Sequence, residues 1–410
     1  MAKDPVTDAA VRVERKALLI HLSPYLKWPT LRPLLWLFLI SRAFFMEIGG
    51  LAYIYLPHAW VESPPGILPP GGQLLYHVVF GLWSHWDGLW YLSIANKGYL
   101  NRPTATAFFP LYPWLIHLFG GGVISGVVIS LFCFALTLWF LFHLTRLEFG
   151  PGIAWDTVLV LAFFPTAFYV NAVYSEPLFM ALAIGSLYFA KTRQYIVAGP
   201  LAMAATMASM YGLLLSAPLL FLIWRQEHHR WRPLVHVFWP PLGLGVYMTF
   251  LLIRFGDPLV FEHAQSNWAR HFAWFGSTLW SATIEAFKAW EQALSFGHLF
   301  AQGVPHLGTS NFYNWVFALF LIAILVYSIW RLPLYLWVYE LLAIMVPFSY
   351  PAVGYALMSL PRLVMEAFPV FIALGLAIHH KPWRRRLYFV FALPLGILFV
   401  SLFATAHWVA

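Results

Sequence analysis

The sequence predicts an all-α polytopic membrane protein, and three observations carry that prediction. The 410-residue chain is 61% hydrophobic and 10% charged, against about a quarter charged in ordinary globular domains. Apolar runs of about 20 residues, the length that crosses a hydrocarbon core as a helix, recur from Pro33 to the C-terminus. No hydrophilic block between them is long enough for a soluble domain. The expected organisation is a cytoplasmic or interfacial segment over 1–32 and one transmembrane domain over 33–410. Outer loops are expected at about 56–119 and 254–310, with about eleven spans and some interfacial helices on the outer face.

The elements follow in order. Arg12, Arg15 and Lys16 beside Ala17, Leu18, Leu19 and Ile20 predict an interfacial lead-in helix, with no cleavable signal peptide. A first span is expected at 33–55, then a Pro/Gly-rich loop over 57–72. The stretch Ser84 to Tyr99 predicts a short helix over 85–97 stopped by Gly98. Phe108-Phe109-Pro110-Leu111-Tyr112-Pro113 reads as a broken apolar segment, because two prolines oppose a regular helix. The next span, 120–143, is ended by Arg146, and its Gly122–Gly126 pair permits close helix contact. Spans at 153–170 and 177–190 precede Lys191 and Arg193. The run 195–224 lies between two basic loops, so it must enter and return as two short helices around Gly212. Further spans are expected at 234–253, 311–330, 334–348, 363–378 and 387–406, with the largest polar stretch at 254–310.

Charge sorts these segments. Assigning the N-terminus, Arg146, Lys191/Arg193, 225–232, Arg331 and 381–386 to the cytoplasm places about two-thirds of the 24 Lys and Arg residues there. Asp87, Glu176, Asp257, Glu262 and Arg362 then share the opposite face, which predicts an active site there. The net charge of +8 belongs to lipid-facing loops and calls for no nucleic-acid partner. Cys133 is the lone cysteine, so no intrachain disulfide can form.

Each candidate residue has a structural reading beside a chemical one. Ser84-x-x-Asp87 matches a capping box, yet a helix N-terminus also suits a reactive carboxylate at a cavity mouth. Glu176, before Pro177, is either a dipole-matched cap or a group facing a wet cavity. Arg362 fits a phosphate, or it snorkels to headgroups. Arg42 lies mid-span and needs a partner, for which Glu47 is the local choice. His85 and His263 lie on the active face as possible binding groups, and Tyr91 either shares the chemistry or anchors its helix. The pairs His228-His229 and His379-His380 read as solvated. No HxxxH, Cys/His cluster, GxGxxG unit or P-loop is present, so neither a metal nor a nucleotide cofactor is expected.

His85-Trp86-Asp87-Gly88-Leu89-Trp90-Tyr91…Ile94-Ala95…Gly98-Tyr99 followed by Phe108-Phe109-Pro110-Leu111-Tyr112-Pro113 resembles the GPI mannosyltransferase 2 (PIG-V) family and its prokaryotic relatives. Asn171…Tyr174-Ser175-Glu176, Gly256-Asp257-Pro258-Leu259 and Pro361-Arg362…Phe368-Pro369 fit the same pattern. The resemblance implies a C-type glycosyltransferase (GT-C) fold that uses a polyprenyl- or dolichyl-phosphate sugar on the non-cytoplasmic face. It implies Asp87 as catalytic base. One departure stands out: relatives often carry Thr-Arg shortly before the glycine matching Gly212, where this chain reads Ala208-Ser209-Met210-Tyr211.

The expected reaction is inverting transfer of a sugar, mannose by analogy, to a lipid or glycan acceptor in the membrane. Asp87 acts as base, Arg362 and then Arg42 hold the leaving phosphate, and Glu176 and Asn171 meet hydroxyls. A multi-pass protein of the plasma membrane is expected if the source is prokaryotic. The alternatives are a lipid or sugar transporter or flippase without chemistry, and a hydrolase of the same lipid phosphosugar.

Overall fold

The computed structural model describes residues 28–59, 74–99, 102–227, 231–301 and 307–409. Most of the 1–32 lead-in segment, most of the 57–72 loop and His228-His229 lie outside them. Among the described residues the regular structure is helical, with isolated bridges from Arg270 to Ala352 and from Ala352 to Tyr355. The longer helices are α1 (Trp28–Tyr55), α2 (Asp87–Lys97), α3 (Leu111–Leu118), α4 (Val123–Phe149), α5 (Pro151–Ala162), α6 (Glu176–Lys191) and α7 (Tyr195–Ala208). They continue as α8 (Ser216–Gln226), α9 (Trp239–Phe255), α10 (Phe275–Ala293), α11 (Ser310–Ile329), α12 (Leu334–Ser349), α13 (Pro369–His379) and α14 (Pro382–Ala404).

Five helical segments among the described residues are long and apolar enough to cross a membrane: Leu31–Tyr55, Val123–Phe149, Arg232–Phe255, Ser310–Ile329 and Pro382–Ala404. A sixth is reached if Leu360–Glu366 and Pro369–His379, bent by 89°, count as one span. This is fewer than the eleven or so expected, in part because prolines divide two of the apolar runs. The run 153–170 stops as α5 at Ala162, ahead of Pro165, and 363–378 becomes regular only at Pro369. Arg146 does not end its helix, which runs on to Phe149. Pro113 does not break its segment either, since it falls in the first turn of α3, where no intrahelical N–H is required. The run 195–224 does divide, into α7, a 3₁₀ turn (Met210–Leu215) and α8. Gly212 makes that reversal possible: a Cβ there would stand 2.2 Å from the Thr206 backbone nitrogen.

α6 is the centre of the bundle. It is apolar on every side and buried almost throughout, as a helix surrounded by others must be. It packs between α4 and α7, while α5 packs on α4 and α13, and α14 on α1. The Lys191 end of α6 meets Glu148 at 2.6 Å, and Glu148 also accepts from the Tyr335 hydroxyl near the start of α12 at 2.6 Å.

Arg42 supplies an interior clamp, but with partners other than Glu47. Its guanidinium donates to Ala162 O (2.8 Å), Ala167 O (2.7 Å) and Asn171 Oδ1 (2.9 Å). α5 ends at Ala162, so that carbonyl has lost its helical donor, and the arginine replaces it. Glu47 is exposed; five residues on, it points about 140° away around the helix.

Candidate active site

The segment between Asn171 and Glu176 is the scaffold of the site. Val173 N–H donates to Trp83 O at 2.8 Å, laying this segment against the chain that leads into α2. The Tyr174 hydroxyl donates to His85 O (3.2 Å) and accepts from Asp87 N–H (3.3 Å). Ser130 of α4 donates to Tyr174 O at 3.2 Å, and Tyr112 bonds Ser130 in turn at 2.7 Å. Tyr112 of the Phe-Phe-Pro-Leu-Tyr-Pro motif therefore buttresses the site from behind. Gly126 lets α4 approach: a Cβ there would lie 2.7 Å from Val173 Cγ1, whereas Gly122 faces open space.

α2 opens at Asp87, yet the capping box does not form. Ser84 sits in a 3₁₀ turn (Gly81–Ser84) and donates to Gly81 O at 2.7 Å. The residue before Asp87, Trp86, has φ 56°, a left-handed conformation that costs a bulky residue about 1–3 kcal/mol. A second such residue, Ser359 (φ 69°), precedes the short helix Leu360–Leu363 that carries Arg362. The strain lies on both approaches to one ion pair: Arg362 Nη1 donates to Asp87 Oδ2 at 2.5 Å. Arg362 Nε also lies 3.1 Å from Glu176 Oε1, a charge contact and not an aligned hydrogen bond. The side chains of Arg362, Asp87 and Glu176 are 12, 21 and 5% exposed, so this triad is largely desolvated. Glu176 Oε2 has no protein partner.

These groups open on a cavity of about 220 Å³. Its charged lining is Asp87, Glu176, Arg362, Glu366, Arg270 and Glu262, and its apolar walls include Phe108, Phe109, Phe261 and Trp268. Tyr91 also lines it, hydrogen-bonded to Ser175 Oγ at 2.7 Å. Burial, reinforced by the charges of Glu176 and Asp87, raises the Tyr91 phenol well above its usual range and keeps it a proton-bearing group.

The remaining predicted residues stand elsewhere. Asn171 is fully buried behind the cavity in the grip of Arg42, and neither lines it. His85 packs edge-on to Phe403, its Nε2 without a partner. Burial lowers its pKa to about 4, partly offset by a hydrogen bond with the Ala404 backbone, so the ring is neutral. His263 is exposed and bonds Asp257 at 2.9 Å. Asp257 itself accepts Leu259 N–H at 2.8 Å, which holds its carboxyl below the usual range, and Gly256 closes α9. The Gly-Asp-Pro-Leu motif is thus a helix stop and turn. No group of three potential metal ligands occurs among the described residues.

Two charged lining residues were missed. Glu366, buried and accepting from Ser209 Oγ at 3.1 Å, was hidden in a run read as a plain span, although an ionisable group there is itself a signal. Arg270 came from the polar 254–310 stretch, where one more charge is unremarkable.

Residues 62–236 match the family model described as Mannosyltransferase (PIG-V). The match covers less than half of the chain, and makes that segment similar to the PIG-V mannosyltransferase family. No curated protein matches it. That similarity supports glycosyl transfer, with a sugar donor and an acceptor, by a multi-pass membrane protein. The matched PIG-V segment carries Asp87, Tyr91 and Glu176, and it stops before Arg270, Arg362 and Glu366. Both cavity arginines therefore come from the part of the chain beyond it.

Proposed function

We propose that this chain is an inverting mannosyltransferase that takes its sugar from a polyprenyl-type lipid phosphate and passes it to a lipid or glycan hydroxyl on the non-cytoplasmic face. One observation carries the reading: a carboxylate, Asp87, opens into a cavity with apolar walls and is aimed by an arginine that it shares with Glu176. Asp87 accepts the acceptor's proton as its oxygen attacks the anomeric carbon. The bond from that carbon to the phosphate oxygen breaks, and the lipid phosphate leaves on the opposite side. General-base assistance of this kind is worth about 10²–10⁴-fold.

The contacts refine the roles. Arg362 orients both carboxylates and so acts on the base as well as on developing charge. Glu176, with one free oxygen, is suited to a sugar or acceptor hydroxyl. Arg42 and Asn171 support the scaffold from behind. The orientation is favoured by α6, whose cavity end at Glu176 and basic end at Lys191 lie about 22 Å apart; Lys191 belongs to the basic set expected in the cytoplasm. The shorter apolar helices complete the crossing as bent or paired half-spans.

The test is reconstituted protein supplied with radiolabelled polyprenyl-phosphate mannose and a range of acceptors. Label transferred to acceptor with inverted configuration is the expected result. Free mannose would indicate a hydrolase, and movement of intact donor without chemistry would indicate a transporter. Asp87→Asn should lower transfer per folded molecule about 10²–10⁴-fold. Full activity in that variant would remove Asp87 from the base role.

A further inference from the structure

The two cavity guanidinium groups are held differently. Arg362 is matched by two carboxylates. Arg270 donates through Nη2 to Met358 O at 3.2 Å, and among the described residues no carboxylate stands within ion-pair distance of it. Its backbone is nevertheless pinned. The strand-like pieces 269–273 and 349–353 run antiparallel, with Val353 N–H on Ala269 O (3.1 Å), His271 N–H on Pro351 O (3.1 Å) and Ala273 N–H on Ser349 O (2.9 Å). A charge fixed in place without a carboxylate paired to it suits an anion that comes and goes.

A second observation points the same way. Tyr211 lines the same cavity within electrostatic reach of Arg270, and its hydroxyl is buried without a hydrogen-bond partner. A buried O–H with nothing to donate to is unfavourable, and an arriving acceptor would satisfy it. Glu366 lines this cavity as well, but its Oε2 is engaged by Ser209. Burial, and then the nearby charge of Arg362, lowers the pKa of Arg270; an anion would offset both effects.

We infer that Arg270 and Tyr211 form a phosphate subsite that binds the phosphate of a lipid phosphate, separate from the Asp87–Arg362–Glu176 triad. On the transferase reading, on which this assignment of the ligand rests, it is the donor's phosphate and then the leaving group. The guanidinium supplies charge and paired N–H donors, and the phenol supplies one O–H.

Full-length protein in phosphatidylcholine nanodiscs should bind a polyprenyl phosphate more tightly than the matching polyprenol. Arg270→Gln should weaken phosphate binding about 10- to 100-fold and leave polyprenol binding unchanged. Tyr211→Phe should weaken it about 2- to 10-fold, and Arg270→Lys should fall between wild type and Arg270→Gln. Displacement by phosphatidic acid would support a subsite for membrane phosphomonoesters, and displacement by inorganic phosphate one for free phosphate as well. Equal binding of phosphate and alcohol by the wild type would overturn the inference, as would unchanged phosphate binding in Arg270→Gln. If Arg270→Gln does not fold, Arg270→Lys and Tyr211→Phe decide by the same readout. Arg270-dependent binding without any transfer would leave the subsite standing and refute the transferase reading. Transfer by Arg270→Gln with an unchanged donor KM would refute the subsite alone.

Discussion

Arg42 and Arg362 stand at opposite ends of the segment 171–176 and hold it by opposite means. Arg42 grips Asn171 and two backbone carbonyls, all neutral, within a shell that includes Phe134 at 4.6 Å and Phe45 at 5.3 Å. Arg362 grips Glu176 and Asp87, both acidic, beside a cavity. A cation satisfied by carbonyls completes a broken helix and has nothing to exchange. A cation shared between two carboxylates beside a cavity can exchange one of those contacts for a contact with an arriving group. Two arginines placed in one apolar chain are therefore distinguished by what they hold and not by how deeply they lie.

Substitutions can break this comparison. The largest effect is expected for Arg362→Ala, which leaves Asp87 and Glu176 facing each other unpaired. Removing one member of a desolvated ion pair costs about 3–5 kcal/mol, so thermal unfolding in detergent should shift downwards and transfer should be lost. An unshifted transition would mean that the triad is solvated in the membrane. Arg42→Gln should cost about 2–3 kcal/mol through orphaned carbonyls, while transfer per folded molecule stays within about tenfold of wild type. Loss of transfer at full stability would instead give Arg42 a direct role and erase the distinction. Gly126→Ala presses on Val173, midway between the arginines, and should cost about 1–3 kcal/mol. Its effect on kcat measures how stiffly the segment couples the two ends.

Much of the candidate site could be read from the sequence because charge is rare in this chain. Asp87, Glu176 and Arg362 stood out individually, and the distribution of Lys and Arg grouped them before any contact was known. The partners of Arg42 had no such signal, since a backbone carbonyl can belong to any residue. Arg270 was obscured by the opposite condition, a stretch already polar. The capping box at Ser84 failed because the motif specifies local spacing, whereas the tertiary contacts of Trp86, with Trp408 at 4.9 Å among them, go with a left-handed backbone. Helix limits shifted where Pro165 and Pro369 interrupted runs whose hydropathy continues unchanged.

The pairing of 269–273 with 349–353 has one more consequence. It joins Arg270 to the end of α12, whose other end is fastened through Tyr335 to Glu148 and Lys191. Asp87 rides on a different helix. A shift of the paired segments against α2 would therefore change the separation of Arg270 and Asp87.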